Sequence, residues 1–544
     1  MVLPLRLFFA LAAGIATVVA QSERTQITVL STTDLHGHIH PVDYYTREST
    51  ADGLAKVGTL IRRARAIDRE LLLIDCGDTI QGTPLAFHHA QIANGPPDPM
   101  MLAMNALGFN ALAIGNHEYN FGLNVFNKAR REARFPWLSA NICLEGTRDP
   151  AYTPYLIKDI RGVRVGVIGL TTPGIPHWET REHYAGLDFV DPIAAAREWV
   201  GELRRRARAD VVVIAMHMGI EQNLATGELS RGQVPGENAA IAIAENDPGI
   251  DLILMGHTHR DVPSISVNNV LLTQAGRWGS HLASASLYLE RDEPSSPWQV
   301  VAKTAITHDV TAETPPDPEV IALTQAYHDE TESWLDQTIG ELDHPLSAAE
   351  SRERDTAIID LINRVQLDAG NAEVSLAASF NPAARLPEGE LTIRDFAGLY
   401  VYPNTLVVVE LSGGQIKEAL EHSALYFGRA LPGRSIADHV DPSIPGYNFD
   451  MAEGVDYEID LSREPGDRII NLSFNDAPID LERTFRVAIN NYRHNGGGGY
   501  AMYPDAPVIS RSNVGIRELI IDWVRTHPDE VPAAPNENWR IRVP

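Results

Sequence analysis

Seven side chains placed just after apolar runs have the chemistry of divalent-metal ligands: Asp34, His36, Asp78, Asn116, His217, His257 and His259. Each follows a short apolar run. Ile27 to Leu30 leads to Asp34 and His36, Leu71 to Ile74 leads to Asp78, and Ala111 to Ile114 leads to Asn116. Val211 to Ile214 precedes His217, and Leu252 to Leu254 precedes His257 and His259. A lone histidine after a strand is commonly a cap or a satisfied core residue; five such strand ends on one edge are not explained that way. Carboxylate and amide oxygens mixed with imidazoles suit borderline ions such as Zn²⁺ or Mn²⁺. Seven ligands exceed one tetrahedral zinc. They suit two ions roughly 3.5–4 Å apart sharing a carboxylate, an arrangement that clamps an in-line phosphoryl displacement. Two divalent ions against two carboxylates leave about +2 locally, enough to attract a phosphate dianion.

The runs that carry these residues are rich in Val, Ile and Leu, and read as strands buried on both faces. Helical stretches such as 53–68 and 191–208 lie between them. The pattern predicts an α/β fold with βαβ alternation, whose sites lie at the carboxyl ends of the strands. After about Thr307 the pattern stops. Thr314-Pro315-Pro316-Asp317-Pro318 breaks the chain, and Val320 to Ile339 is predicted as a helix joining two domains. The expected organisation is a metal-binding domain over 25–310, a connector over 311–340 and an α+β domain over 341–544, with helices near 355–369 and 414–423 and strands over 405–411 and 484–490.

The chain has 544 residues, with 45 Lys and Arg against 72 Asp and Glu, a net charge of −27. That balance excludes a reader of nucleic-acid duplexes, which needs a cationic face. Two cysteines, Cys76 and Cys143, exclude a disulfide scaffold and a Cys-based zinc ribbon, and leave one bridge open. Residues 1–20 read as a cleaved secretory signal: Arg6, then an apolar run from Leu7 to Val19, then small residues before Gln21. A membrane anchor is the alternative, but the run is short and no later stretch is apolar enough to span. The expectation is an exported monomer without a stable membrane anchor, in a periplasm or an extracellular medium. Asn471-Leu-Ser473 would accept a glycan in a eukaryotic host.

The motifs Asp34-Leu-His36, Gly77-Asp78, Gly115-Asn-His-Glu118, His217 and Gly256-His-Thr-His259 resemble those of the two-metal 5′-nucleotidase family of calcineurin-like phosphoesterases. The resemblance runs through nearly the whole mature chain. It implies an N-terminal metallophosphoesterase β-sandwich flanked by helices, joined by the linker helix to a C-terminal 5′-nucleotidase-type domain that rotates to bring substrate to the metals. It implies one metal on Asp34, His36, Asp78 and His259, and a second on Asp78, Asn116, His217 and His257. His117 would be the catalytic histidine that binds no metal. Further stretches resemble one branch, the bifunctional 2′,3′-cyclic-nucleotide 2′-phosphodiesterase/3′-nucleotidases. These are Asp43-Tyr44-Tyr45, Gly77 to Leu85, Gly115 to Gly122, Leu399 to Leu406, Gly446 to Asp450 and Asn490 to Arg493. Asn120 stands where the 5′-nucleotidase branch typically has Asp. An Asp would orient His117 and stabilise its cation, whereas an amide can orient it without charge. Asn120 then makes His117 mainly a hydrogen-bond donor to the transferring group; alternatively, Asn120 caps the following turn.

In the second half, Arg352, Arg354 and Arg385 occupy segments that line the nucleotide pocket in this family. Tyr447, Phe449 and Tyr492 are candidates to stack on the base, at about 1–3 kcal/mol per stack. The spacing to Gly454 favours Phe449 over Tyr447, and both remain open. Gly498 takes the place of an Asp usual in the 5′-nucleotidases. The leading expectation is a hydrolase in which a metal-bridging hydroxide opens 2′,3′-cyclic nucleotides to 3′-nucleotides and then releases phosphate from those. The alternatives are a 5′-nucleotidase or nucleotide-sugar diphosphatase with the same metals, and a silent nucleotide-binding surface protein, which would have lost ligands.

Overall fold

The computed structural model describes residues 22–224, 226–229, 234–402, 404–431 and 433–544. The proposed signal segment lies outside them. The first half is a sandwich of two six-stranded sheets. One sheet runs in the order Gln299–Asp309, His281–Arg291, Glu23–Thr32, Leu72–Asp75, Ala111–Ala113, Trp137–Leu138. The other runs Asp261–Val267, Val270–Ala275, Leu252–Met255, Val211–His217, Val163–Thr171, Tyr155–Ile160. In each sheet four consecutive strands, the ligand-bearing ones among them, are parallel, so their carboxyl ends open on the same edge.

Alternation explains the layering. Ile27, Val29, Leu72, Ile74, Val211 and Val213 point into the interface between the sheets. Their neighbours Leu71 and Leu73 pack outward with the helix Leu54–Ile67, and Val212, Ile214 and Met216 with the helices Pro192–Arg205 and Ala240–Asn246. Strands apolar on both faces are held on both, which fixes their ends firmly.

The connector helix is Pro318–Leu335. It starts where Asp317 Oδ1 accepts from the Glu319 and Val320 amides, with Pro318 in the first turn. It ends earlier than Ile339: Thr338–Leu342 is instead a strand paired with Gly389–Thr392. β-Branched Thr338 and Ile339 suit that pairing better than a last helical turn. Arg394 ties the helix end to both halves, through Glu332 at 3.0 Å, Asp336 at 2.8 Å and the Tyr44 carbonyl. The second domain has a five-stranded mixed sheet, ordered Asp450–Glu453, Val374–Ala378, Thr484–Asn490, Thr405–Ser412, Val508–Gly515, and a separate four-stranded sheet. Helices Ala357–Gly370, Gly413–Ser423 and Ile516–Thr526 complete it. Cys76 and Cys143 are both free and buried, so no bridge forms. Among the described residues no helix is long and apolar enough to cross a membrane.

Candidate metal centre and nucleoside loops

The strand ends bring two ligand groups together. Asp34, His36 and His259 form one, and Asp78, His217 and His257 the other; within each, the ligand atoms lie within 4.8 Å of one another. Asp78 Oδ2 lies 2.9 Å from His217 Nε2 and 3.9 Å from His36 Nε2, so it faces both groups. His36 Nε2 and His259 Nε2 are 3.0 Å apart, two imidazole nitrogens turned into one space. Asn116 follows Ala111–Ala113 in this cluster, and the adjacent His117 amide donates to Asp78 Oδ1 at 2.8 Å.

Backbone carbonyls set the rings. His36 Nδ1 faces Gln81 O at 3.1 Å and His217 Nδ1 faces Cys76 O at 2.7 Å, which leaves Nε2 of each directed inward. His257 is held the other way, its Nε2 on Glu237 Oε1 at 2.9 Å, which frees Nδ1. Glu118 is fully buried and receives the amides of Gly115, Asp78 and Thr79, clamping two ligand loops together. A Cβ on Gly115 would lie 2.3 Å from Asp78 Oδ1, so only glycine lets these loops approach. Asp34, His36, Asp78, His257 and His259 all have positive φ, between 47° and 69°. Such residues cost about 1–3 kcal/mol each and persist where the surroundings over-determine them.

The donor set fits divalent cations. Asn116 Oδ1 is buried with no hydrogen-bond partner among the described residues, and the buried His217 Nε2 faces the Asp78 carboxylate. Burial pushes His36 down to about 3, leaving its ring neutral with a free lone pair. Burial opposes charge on Asp34 and Asp78, but the imidazoles His259 and His217 outweigh it, and both carboxyls are held below the usual range. Burial likewise opposes a proton on His217, yet Asp78 and Asp34 carry it up to about 10. The carboxylates therefore concentrate negative charge that draws a cation, and a metal would displace that proton.

His117 stands beside the groups, its Nε2 3.9 Å from Asp78 Oδ2 and its side chain 31% exposed. Its Nδ1 meets Asn120 Oδ1 at 2.6 Å. The Asn120 side chain is thus spent on His117 rather than on capping the next turn.

The nucleoside candidates separate. Tyr447 and Tyr492 are each 37% exposed, whereas Phe449 is fully buried. Phe449 stacks on Tyr426 and meets Phe427 and Trp539 edge-on, so it is a core residue and cannot reach a base. This corrects the spacing argument from Gly454, which located the loop but not which face of it is apolar. The Arg352 guanidinium packs against Gly446 and donates to Ser379 O at 2.7 Å, next to the Tyr447 loop. Arg354 is turned to Glu350 in an exposed ion pair, and Arg385 is exposed, its guanidinium without an ion pair or hydrogen bond among the described residues. Neither makes a hydrogen bond or a ring contact with Tyr447 or Tyr492 among the described residues.

Three features add to the sequence reading. Arg493 forks onto Asp450 at 2.7 and 2.9 Å, both side chains essentially fully buried, and reaches Tyr447 O at 2.5 Å. It thereby pins the loop bearing Tyr447 to the segment bearing Tyr492. Gly498 has φ 78°, and a Cβ there would lie 2.6 Å from Asn448 Oδ1 and 2.7 Å from Arg493 Nη1, so a side chain there would strain the backbone and push both groups aside. Tyr402, 44% exposed, stands near Tyr447, Arg352 and Arg277. Arg277 in turn reaches His259 Nδ1 at 3.3 Å, linking the tyrosine segments to the ligand groups.

The calcineurin-like phosphoesterase family profile matches residues 27–261, and the 5′-nucleotidase C-terminal domain profile matches 338–505. The 2′,3′-cyclic-nucleotide 2′-phosphodiesterase/3′-nucleotidase of Salmonella typhimurium is 30% identical, over 97% of this chain and 91% of that protein. The enzyme of that name from Yersinia enterocolitica is 31% identical, over 97% and 90%. The chain belongs to the 5′-nucleotidase family of calcineurin-like metallophosphoesterases. A Staphylococcus aureus crystal structure described as a 5′-nucleotidase superposes with a TM-score of 0.81 at 29% identity, covering 95% of this chain and all of that one. The protein is therefore a phosphoric ester hydrolase of two-domain architecture, with a fold that holds divalent metal ions.

Proposed function

We propose that this enzyme hydrolyses 2′,3′-cyclic nucleotides to 3′-nucleotides, and 3′-nucleotides to nucleoside and phosphate. The observation that carries the reading is the pair of ligand groups meeting at Asp78, beside a histidine oriented by an amide. Asp34, His36, Asp78 and His259 would hold one ion, and Asp78, Asn116, His217 and His257 the other. Two ions such as Zn²⁺ or Mn²⁺ would supply Lewis acidity to the phosphoryl oxygens and acidify water.

This chain's own residues do the rest. His117 presents Nε2 to the phosphoryl group or to the leaving oxygen. In the first reaction a water oxygen bonds to phosphorus, the P–O2′ bond breaks and the 2′-oxygen takes a proton. In the second the P–O3′ bond breaks in the same sense. Both are in-line displacements on one clamped phosphate, so one site serves both. Tyr447 and Tyr492 sandwich the base, and Arg352 serves the ribose or phosphate side. Residues 1–20 direct export, and the substrates are breakdown products of RNA.

A second reading is hydrolysis of 5′-nucleotides or nucleotide sugars, and the likeness to the Staphylococcus structure favours its 5′-nucleotide form. The test is kcat/KM for 2′,3′-cyclic AMP, 3′-AMP and 5′-AMP on purified, metal-loaded protein. Preference for the first two supports the proposal; preference for 5′-AMP overturns it in favour of the second reading. Undiminished hydrolysis in chelator would remove the metal chemistry from both.

A further inference from the structure

Behind His117 and Asn120 lies a carboxylate that the sequence motifs do not include. Asn120 Nδ2 donates to Glu179 Oε1, and the other oxygen, Oε2, meets His183 Nδ1 at 2.7 Å. Only 9% of the Glu179 side chain is exposed. Its segment is anchored at several points. The Glu179 amide donates to Ile175 O, the neighbouring Trp178 ring lies 5.5 Å from His257, and Trp178 O accepts from Asn491 Nδ2 at 3.2 Å.

We propose that Glu179 is a positioning residue that fixes the Asn120 amide in one orientation and, through it, the tautomer of His117. An ionised carboxylate only accepts hydrogen bonds, so Asn120 must turn its NH₂ toward Glu179. Its carbonyl then faces His117, and a carbonyl also only accepts. Nδ1 must carry the hydrogen, and Nε2 is the nitrogen left facing the phosphoryl site. A free asparagine could flip by 180° and present NH₂ to His117, which would strip Nδ1 of its hydrogen and set the amide against the doubly protonated ring, the form that donates from Nε2 to a phosphoryl or leaving oxygen. Glu179 removes that second state. The negative charge that the 5′-nucleotidase branch carries at position 120 is here one side chain further from the ring, where it selects orientation rather than pairing with the imidazole.

The inference rests on His117 acting at phosphorus, and a double-mutant cycle tests it with whichever nucleotide the enzyme turns over. In Glu179→Gln the glutamine can donate or accept, both Asn120 orientations are allowed, and kcat falls by about 10–100-fold with KM little changed. Asn120→Asp alone sets two carboxylates face to face and also loses activity. In the double variant Asn120→Asp/Glu179→Gln, the glutamine donates to the aspartate and the aspartate accepts from Nδ1, so activity exceeds that of either single variant. Independently of turnover, ¹⁵N spectra of the zinc-loaded protein, with the His117 signals assigned by comparison with His117→Asn, show the Nδ1–H form in the wild type. They show a mixture in Glu179→Gln. Losses that merely add in the double variant, or a wild-type His117 protonated on Nε2 alone, would overturn the proposal. A failed substrate preference with an intact cycle would overturn the function reading and leave this one standing.

Discussion

The two halves of this site are built by opposite means. The metal side hangs on the carboxyl ends of strands buried on both faces, with five residues in the left-handed region and Asp34, His36, Asp78, Asn116 and His217 buried, His259 being the open member. The proposed nucleoside side hangs on short segments between the larger elements, with Tyr402, Tyr447 and Tyr492 more than a third exposed. Its rigidity comes from beneath, from the Arg493–Asp450 pair that ties two loops together. Ligands for an ion must be fixed to within tenths of an ångström, and only a doubly packed sheet edge holds strained backbone that firmly. A base stacked between rings tolerates more latitude, and solvent-facing aromatics on a pinned loop suffice.

That contrast can be broken most directly at Asp78. Asp78→Ala removes the one carboxylate that faces both ligand groups; kcat/KM is expected to fall by about 10³-fold or more as several kcal/mol of charge stabilisation are lost. Kinetics with metal analysis by mass spectrometry checks it, and retention of full metal content with near-native turnover would contradict the arrangement. Arg493→Met tests the loop side. It strands Asp450 as an unpaired buried charge, and the expected loss is about 3–5 kcal/mol of stability in urea unfolding. Adding Asp450→Leu should recover most of it.

Two smaller effects sharpen the difference. Glu237→Gln weakens the hold on the His257 ring, and zinc affinity is expected to drop by about 10–100-fold in a competition titration with a chromophoric chelator. Tyr447→Ala should raise KM by the worth of one stack, about 1–3 kcal/mol. Its stability should stay within about 0.5 kcal/mol of wild type, as for an exposed side chain. A Tyr447 variant with unchanged KM would remove that ring from the base.

Much of this was written in the chain. Apolar runs ending in Asp, Asn and His determined which residues sit at strand ends, because doubly buried strands leave so plain a composition. The helix Pro318–Leu335 was legible from the proline-rich break before it, to within two residues of its start, but its end was not, since Thr338 pairs in a strand with the distant Thr392. Sequence also set the types of the second-domain residues, but not their facing. Phe449 and Tyr447 are two positions apart, and which one is solvent-facing depends on Tyr426 and Trp539 arriving from distant segments. Glu179, Glu237 and Arg493 are ordinary charged residues in sequence. Only tertiary structure decided that one faces Asn120, one His257 and one Asp450, because a hydrogen bond acts through distance and direction, which the chain order of its partners does not record.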